Sequence, residues 1–414
     1  MKRTGLAGGL AGICFLAAAI PASSQSRPPA PPKRGPDVLL QLSIAAATAG
    51  LAEPFKGVTT NGSVESGLFP IASSGVSTEQ VRIATDRFLA SLSPGQRWKT
   101  LFSINDDEWR KWMNQSFYVR QGVSFLEMTD EQREAAFGML RAALSAKGYQ
   151  QTRDIMRLNH TLAELTDDNF DEYGEWQYNV TVMGVPSATE PWGFQLDGHH
   201  AIVNYFVLGD QVVATPFFGG SEPVTATFGK YQGTSILRQE AAQALDLING
   251  LDERRRRKAI LESSKTGDNN LAEAWKDNAV IAYAGIPAME LSDAQLQQLV
   301  AVVELYVGNM DDGHARVRMK EVLAQMDDTY FAWIGGTEPD SAFYYRIQSP
   351  VIIVEFDHQR PIGLRHLLDP ALPTTQHVHI VVRTPNGNDY GKDLLRQHYE
   401  RQHSDALLAA GATR

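Results

Sequence analysis

The sequence predicts an α+β fold, in which a mainly antiparallel sheet is flanked by helices. Strand-like segments that alternate and are rich in Val, Tyr and Phe fall in two blocks, 175–218 and 329–385. Connections within each block are short, which favours antiparallel pairing. Helical segments lie before, between and after the blocks, and such strand runs set among helical runs are typical of α+β proteins.

The helices are predicted from hydrophobic periodicity and from N-terminal capping patterns. A first helix is expected over 37–53, and further helices over 151–165 and 313–328. A capping box, Ser or Thr followed three residues later by Gln, precedes three more helices. These pairs are Ser77 with Gln80, Thr129 with Gln132, and Ser292 with Gln295.

The two strand blocks raise the question of domain number. The late block is either a second domain or a continuation of the middle sheet. We expect one joined sheet, because the paired histidines of the two blocks then have a reason to meet.

The N-terminal residues predict a secretory leader. A basic start, a short apolar run and small residues are typical of a signal peptide over residues 1–24, cut near Ser24. The alternative is a membrane anchor, although no other long apolar run follows. Residues 25–36 form a proline-rich linker, and the folded part is expected over 37–414. This organisation predicts a periplasmic or secreted protein that keeps no integral membrane span after cleavage.

Composition narrows the possible partners and chemistry. The 414-residue chain has a formal charge of −10, which becomes −12 without Lys2 and Arg3, and this argues against nucleic acid as a partner. Its one cysteine, Cys14, lies in the predicted leader, so the mature chain would have no disulfide or thiolate chemistry. Any metal must therefore be held by nitrogen and oxygen donors.

Histidine is concentrated in two close pairs among ten histidines, and these four are the candidate metal ligands. His377 and His379 flank one residue of a predicted strand, so both imidazoles project from the same face. His199 and His200 follow Gly198, where a bend or bulge would bring both rings to one side. Otherwise one of them binds the metal and the other supports it through a hydrogen bond. The alternative is that these histidines are ordinary strand-end residues.

Glu355 is the candidate acidic ligand or general base. It lies in an apolar strand, where a carboxylate is costly unless it is paired or bound to a metal. The alternative is an ion pair with Arg346 or Arg383.

Four further residues are candidates for substrate binding. Arg383, Asp389 and Tyr390 surround a polar loop and could line a pocket mouth, and Trp192 could wall a ligand pocket. The alternative for the loop is turn chemistry alone. Neither a glycine-rich phosphate loop nor a serine-hydrolase elbow is present.

Long motifs in the chain resemble the family known as domain of unknown function 3500. They include "PWGFQLDGHHAIVNYFVLGDQVVATPFFGG", "FYYRIQSPVIIVEFDHQ" and "HVHIVVRTPNGNDYGKDLLRQHY", together with segments 128–160, 291–315 and 327–336. The resemblance implies a single domain of this family over 37–414 and an exported context, but no established reaction. The Gly-His-His and His-x-His elements match the family, whereas His358 departs from it.

Taken together, the residues suggest an exported metalloenzyme that acts on a small molecule. Zn, Fe or Cu would suit the donors, and hydrolysis is preferred to oxidation. One alternative is a non-catalytic periplasmic protein that binds a metal or small ligand. Another is a structural or interaction protein whose histidines only pack. The oligomeric state is left open.

Overall fold

The structure is a computed structural model and describes residues 36–411. Within that range the chain has ten α-helices and a 13-stranded, mostly antiparallel sheet, which confirms the predicted α+β class. The predicted leader over 1–24 and most of the proline-rich linker lie outside the described residues.

The α-helices cover both ends of the described chain and the region between the strand blocks. They are α1 Pro36–Gly50, α2 Glu79–Ser91, α3 Pro94–Thr100, α4 Asp130–Ala143, α5 Ala146–Leu165, α6 Arg238–Gly250, α7 Glu253–Ala259, α8 Asp293–Val307, α9 Asp312–Ala324 and α10 Lys392–Gly411.

The strands follow the two predicted blocks, with short additions at the edges. They are β1 Leu101–Phe102, β2 Val123–Ser124, β3 Tyr178–Met183, β4 Trp192–Gly198, β5 Ala201–Leu208, β6 Gln211–Val213, β7 Phe217–Ser221, β8 Ile260–Glu262, β9 Ile286–Pro287, β10 Tyr330–Gly335, β11 Phe343–Gln348, β12 Ile353–His358 and β13 Val378–Arg383.

The two strand blocks form one sheet, as expected. The strand order is β1-β3-β4-β5-β7-β13-β12-β11-β10-β8, with β2, β6 and β9 paired at the side. The junction is the antiparallel pair β7–β13, which runs in register from Val378 opposite Ser221 to Val382 opposite Phe217. This junction brings the His-x-His strand within one strand of β5, which begins directly after the Gly-His-His segment.

Two of the three predicted capping boxes are present, before α4 and α8. The prediction at Ser77 and Gln80 was wrong, because α2 begins only at Glu79. The hydroxyl of Thr78, the residue before α2, instead donates a hydrogen bond to the carbonyl of Gly209. A tertiary contact to the β5–β6 turn therefore replaces the local cap.

The central strands are buried along their whole length. Every residue of β4, β5, β12 and β13 is buried. Any charged side chain on these strands must be paired or hydrogen-bonded inside the protein, because burying an unpaired charge is costly. This requirement decides the roles of several residues near the histidines.

Among the residues that the structure describes, no helix combines the length and the apolar character needed to cross a membrane.

Candidate metal centre

Three of the four candidate histidines converge on one point. The Nε2 atom of His200 lies 3.3 Å from that of His377 and 3.2 Å from that of His379, and the last two are 3.1 Å apart. All three side chains are buried. A cation about 2.1 Å from each nitrogen would have N–metal–N angles of roughly 100°, which suits a tetrahedral site with one position free.

The sheet brings these rings together across a single strand. His379 lies on β13, and His377 precedes that strand by one residue, so the two share a face as predicted. His379 is paired with Gly220 of β7, and β7 also pairs with β5 at Ala201. His200 therefore lies one strand away from His379.

Gly220 leaves the space in which the rings meet. A Cβ atom at this position would lie 3.1 Å from Cδ2 of His379, 3.3 Å from Cδ2 of His200 and 2.5 Å from the carbonyl oxygen of Val378. Only a residue without a side chain lets the two imidazoles approach across β7.

Hydrogen bonds fix which nitrogen of two histidines faces the centre. Nδ1 of His377 lies 2.6 Å from the carbonyl oxygen of Arg360, which can only accept, so Nδ1 carries the proton. Nδ1 of His379 lies 2.7 Å from Oε1 of Glu273 and donates to that carboxylate. Both Nε2 atoms then point lone pairs at each other at 3.1 Å. A cation between them removes this repulsion, and such outer partners are typical of metal-binding histidines.

Burial favours the neutral imidazole at His200 and at His377. Burial is the main cause that lowers the pKa of His200 well below its usual value, and burial also lowers the pKa of His377. Burial alone would raise the pKa of Glu273, but its contacts with His379 and Asn270 outweigh this and lower it. Three imidazole nitrogens, one of them on a ring held by an ionised carboxylate, form a suitable donor set for a transition metal.

His199 does not share the centre. Its Nδ1 lies 2.7 Å from Oδ1 of Asn159 on α5, and its ring stacks on that of His200 with 3.9 Å between centroids. The backbone N–H of His200 also donates to the carbonyl of Asn114. One ring of the pair therefore faces the centre, whereas the other stacks on it and hydrogen-bonds Asn159, in place of the expected supporting hydrogen bond.

The expected role of Gly198 is corrected. The unusual backbone angle belongs to His200, whose φ is +63°, and the two histidines form the turn between β4 and β5. Gly198 pairs within the hairpin, and a Cβ there would lie 2.0 Å from the ring of Tyr178. Its function is to admit that ring, whose hydroxyl donates to the carbonyl of His199.

The three converging histidines open on a cavity of about 860 Å³, which we call the histidine cavity. Its walls come from segments 114–117, 169–173, 268–273 and 359–363, together with Glu222 and Leu162. This volume falls in the range of small-molecule sites.

Buried carboxylates on or directly after strands of the sheet form contacts with three of these wall segments. Asp197, in the strand before the histidine turn, forms an ion pair of 3.1 Å with Arg120, which also donates to the carbonyl of Gln115. Glu222, directly after β7, accepts backbone hydrogen bonds from Ile362 and Gly363.

The third wall, loop 265–277, carries Glu273 and is held by residues of β12 and β13. Asp357 accepts from the backbone N–H groups of Asn269 and Asn270, and it forms an ion pair with Lys265. The loop therefore has a fixed position relative to β13, and the Glu273–His379 contact does not depend on a mobile segment.

Glu355 also holds loop 265–277 in place, and its carboxylate does not reach the centre. Its carboxylate accepts backbone hydrogen bonds from Leu271 and Ala272, each at 2.9 Å, and one from the hydroxyl of Tyr344. Burial raises its pKa to about 7. The sequence correctly indicated that this buried carboxylate needs partners, but the partners are two backbone N–H groups of loop 265–277 and the hydroxyl of Tyr344 rather than Arg346 or Arg383.

The four residues expected to bind substrate lie in the core instead of on the histidine cavity. Arg383 is fully buried, pairs with Asp277 at 2.7 Å and Asp389 at 3.1 Å, and donates to two carbonyls of loop 265–277. Tyr390 donates to Asp277, and the indole of Trp192 donates to its own turn at Ser187. Arg383 and Asp389 require each other because both charges are buried.

Sequence reasoning missed Glu273, Gly220 and Asn159. Glu273 lies in a segment without helical or strand periodicity, so only its place in the fold reveals its contact with His379. The adjacent glycines at 219–220 were a usable signal, because glycine inside a strand often marks a close approach.

Comparison with known proteins gives one family. A family model described as "Protein of unknown function (DUF3500)" matches residues 74–392, well over half of the chain and including all three converging histidines. No curated protein and no solved structure matches the chain. The chain therefore belongs to the DUF3500 family.

Proposed function

We propose that this protein is a metal-dependent enzyme that acts on a small molecule in the histidine cavity, with hydrolysis preferred to oxidation. The observation that carries the proposal is the convergence of three buried Nε2 atoms, 3.1–3.3 Å apart, on the wall of an 860 Å³ cavity. Zn, Fe and Cu are the candidate metals for His200, His377 and His379.

The number of ligands favours catalysis over storage. Structural zinc sites are closed by four protein ligands, whereas catalytic sites use three and keep one position for water or substrate. The centre has three converging histidines, and the same three rings line the cavity. A ligand in the cavity would thus have access to the bound metal.

The chemistry of the ligands favours hydrolysis. Three neutral imidazoles leave the charge of a divalent cation uncompensated, so the cation would act as a Lewis acid and lower the pKa of a bound water. Non-haem iron oxygenases instead commonly use two histidines and one carboxylate. Here the carboxylate of Glu273 contacts Nδ1 of His379, on the side away from the centre.

We also propose that the protein is exported. The basic start and short apolar run of residues 1–24 support a signal peptide cut near Ser24. N-terminal sequencing of protein from the periplasmic or culture fraction tests this. A mature chain that still begins at Met1 would contradict export through a cleaved leader.

Metal content is the first test of the enzyme proposal. Protein purified without a histidine tag should contain about one equivalent of a transition metal, or take it up on reconstitution, because the centre is a single site. Less than about half an equivalent under both conditions would overturn the proposal.

Activity is the second test. We expect the zinc-loaded protein to hydrolyse members of a panel of small chromogenic esters and amides, and His379→Ala to lose that turnover. Oxygen consumption by the iron or copper form, without hydrolysis by the zinc form, would establish oxidation instead. Stoichiometric metal with neither activity would favour the non-catalytic binding protein.

A further inference from the structure

The charge of the histidine cavity bears on what it can bind. Its wall carries five carboxylates and, among the described residues, a single Lys or Arg side chain. These residues are Asp171, Glu172, Glu222, Asp268, Glu273 and Arg360. The formal charge of the wall is thus −4 with neutral histidines, and a divalent cation reduces it only to −2.

The one guanidinium is already paired. Arg360 donates from Nε and Nη2 to Oδ2 of Asp268 at 3.1 and 2.7 Å, and its backbone N–H donates to Oδ1 at 3.0 Å. Burial alone would raise the pKa of Asp268, but the hydrogen bonds from Arg360 outweigh this effect, so the pKa lies below its ordinary value. An anionic ligand would have to displace Asp268 to use this arginine.

Polar, uncharged side chains also line the histidine cavity. They include Asn114, Gln115 and Ser116, together with Tyr173, whose ring lies 5.4 Å from that of His199. Amide and hydroxyl groups hydrogen-bond neutral ligands without adding charge. Among the described residues, the buried Nε2 atoms of the three histidines have only each other as partners, and they mark the point where such a ligand would meet the metal.

We propose that the histidine cavity selects uncharged or cationic polar molecules and rejects anionic ones, and that the Asp268–Arg360 pair sets this selectivity. This inference rests on the proposed function for the role of the metal, but the charge of the wall does not depend on the metal. A cavity lined by one sign of charge concentrates ligands of the other sign and repels those of the same sign.

The experiment uses three probes that share an imidazole ring and differ in the charge of a short side arm. These are 4-imidazoleacetate, its amide, and histamine. Each is titrated into the full chain loaded with Co²⁺, and binding is read from the visible absorption of the metal. We expect the anion to bind at least about ten-fold more weakly than the amide, and histamine to bind at least as tightly as the amide.

A second measurement removes the metal from the test. Saturation-transfer NMR of the same probes with chelator-treated protein should give the same order of affinity, because the wall alone carries −4. If Co²⁺ does not bind but this order persists, the metal proposal fails and the charge proposal stands. Equal or tighter binding of the anion in either form, or no binding of any probe to both forms, overturns the charge proposal.

A pair of variants tests the role of Asp268. Asp268→Asn keeps an acceptor for the backbone N–H of Arg360 but frees its guanidinium charge, so the preference for amide over anion should fall by about five-fold or more. Glu79→Gln is the matched control, because Glu79 also accepts two hydrogen bonds from one guanidinium, that of Arg82, on the exposed face of α2. Unchanged selectivity in Asp268→Asn, at unchanged Co²⁺ content, would contradict the assigned role of the pair.

Discussion

Nδ1 of His379 lies 2.7 Å from Oε1 of Glu273, and this contact joins the His-x-His strand to loop 265–277. The carboxylate orients the imidazole and increases the electron density on Nε2, which faces the metal centre. Glu273 is in turn held by Asn270, whose side-chain amide donates to the same oxygen at 2.7 Å. The metal affinity of the centre should therefore depend on Glu273, although this residue does not face the metal.

Glu273→Gln should weaken metal binding by about 10–100-fold, because the neutral amide still accepts the hydrogen bond but no longer polarises His379. The measurement is competition with a chromogenic chelator. Glu262→Gln, on the exposed edge strand β8, is the control and should bind metal like the wild type. An affinity within two-fold of wild type in Glu273→Gln, roughly the limit of such a comparison, would show that the contact is only structural.

Substitution of each histidine should show that the three converging rings bind the metal and that His199 does not. We expect His200→Ala, His377→Ala and His379→Ala each to reduce bound metal below about one tenth of an equivalent, because two imidazoles hold a transition metal poorly. His199→Gln should keep most of the metal, since its ring contacts Asn159 and stacks on His200.

Metal content is measured by mass spectrometry on chains that retain the wild-type circular dichroism. Full retention of metal by any one of the three alanine variants would remove that histidine from the centre. Loss of metal in His199→Gln equal to the loss in His200→Ala would show that His199 is also a ligand.

Much of the fold could be predicted because its signals are local. Strand alternation, short connections and two capping boxes gave the α+β class and the positions of most elements, and the joined sheet followed from expecting the histidine pairs to meet. The shared face of His377 and His379 is a direct consequence of the two-residue period of a strand. The capping pattern at Ser77 was misleading because Thr78 has a tertiary partner.

The remainder of the site depends on distant contacts that no local pattern encodes. Arg383 and Asp389 lie beside a polar loop in sequence, which favours exposure, yet the packed sheet buries both and makes them partners. Glu355 was correctly expected to need a partner, but two of its partners, the backbone N–H groups of Leu271 and Ala272, lie more than 80 residues away in loop 265–277. The sequence does not reveal these roles, because they depend on how loop 265–277 packs against β12 and β13.

Gly220→Ala should disrupt the centre more than the fold. The added Cβ would press on the rings of His200 and His379 and on the carbonyl of Val378, so metal affinity should fall at least ten-fold, with a stability loss of roughly 1–3 kcal/mol. Chelator competition and urea unfolding measure the two effects. Gly95→Ala is the control, because a Cβ there meets nothing within 4 Å. Wild-type metal affinity in Gly220→Ala would show that the rings do not need this space.

Glu355 should give the unfolding free energy a characteristic pH dependence. Burial raises its pKa to about 7 in the folded protein, above the ordinary value of 4.5. Between these two values the folded state binds more protons than the unfolded state, so the free energy of unfolding decreases as pH rises. The contribution of Glu355 is therefore favourable below pH 4.5 and is lost as pH rises through about 7.

Urea unfolding of chelator-treated wild type and Glu355→Gln at several values between pH 8 and pH 5 tests this dependence. The wild type should gain stability relative to the variant on acidification, by at most about 1.4 kcal/mol per pH unit, because glutamine does not titrate. Ile353→Val on the same strand changes packing without changing charge, so its difference from wild type should stay constant with pH. The difference in unfolding free energy between wild type and Glu355→Gln could instead stay constant, or shift in favour of the variant as pH falls. Either result would mean that Glu355 is ionised over the whole range from pH 8 to pH 5. In that case the backbone donors of Leu271 and Ala272 would outweigh the cost of burying the charge.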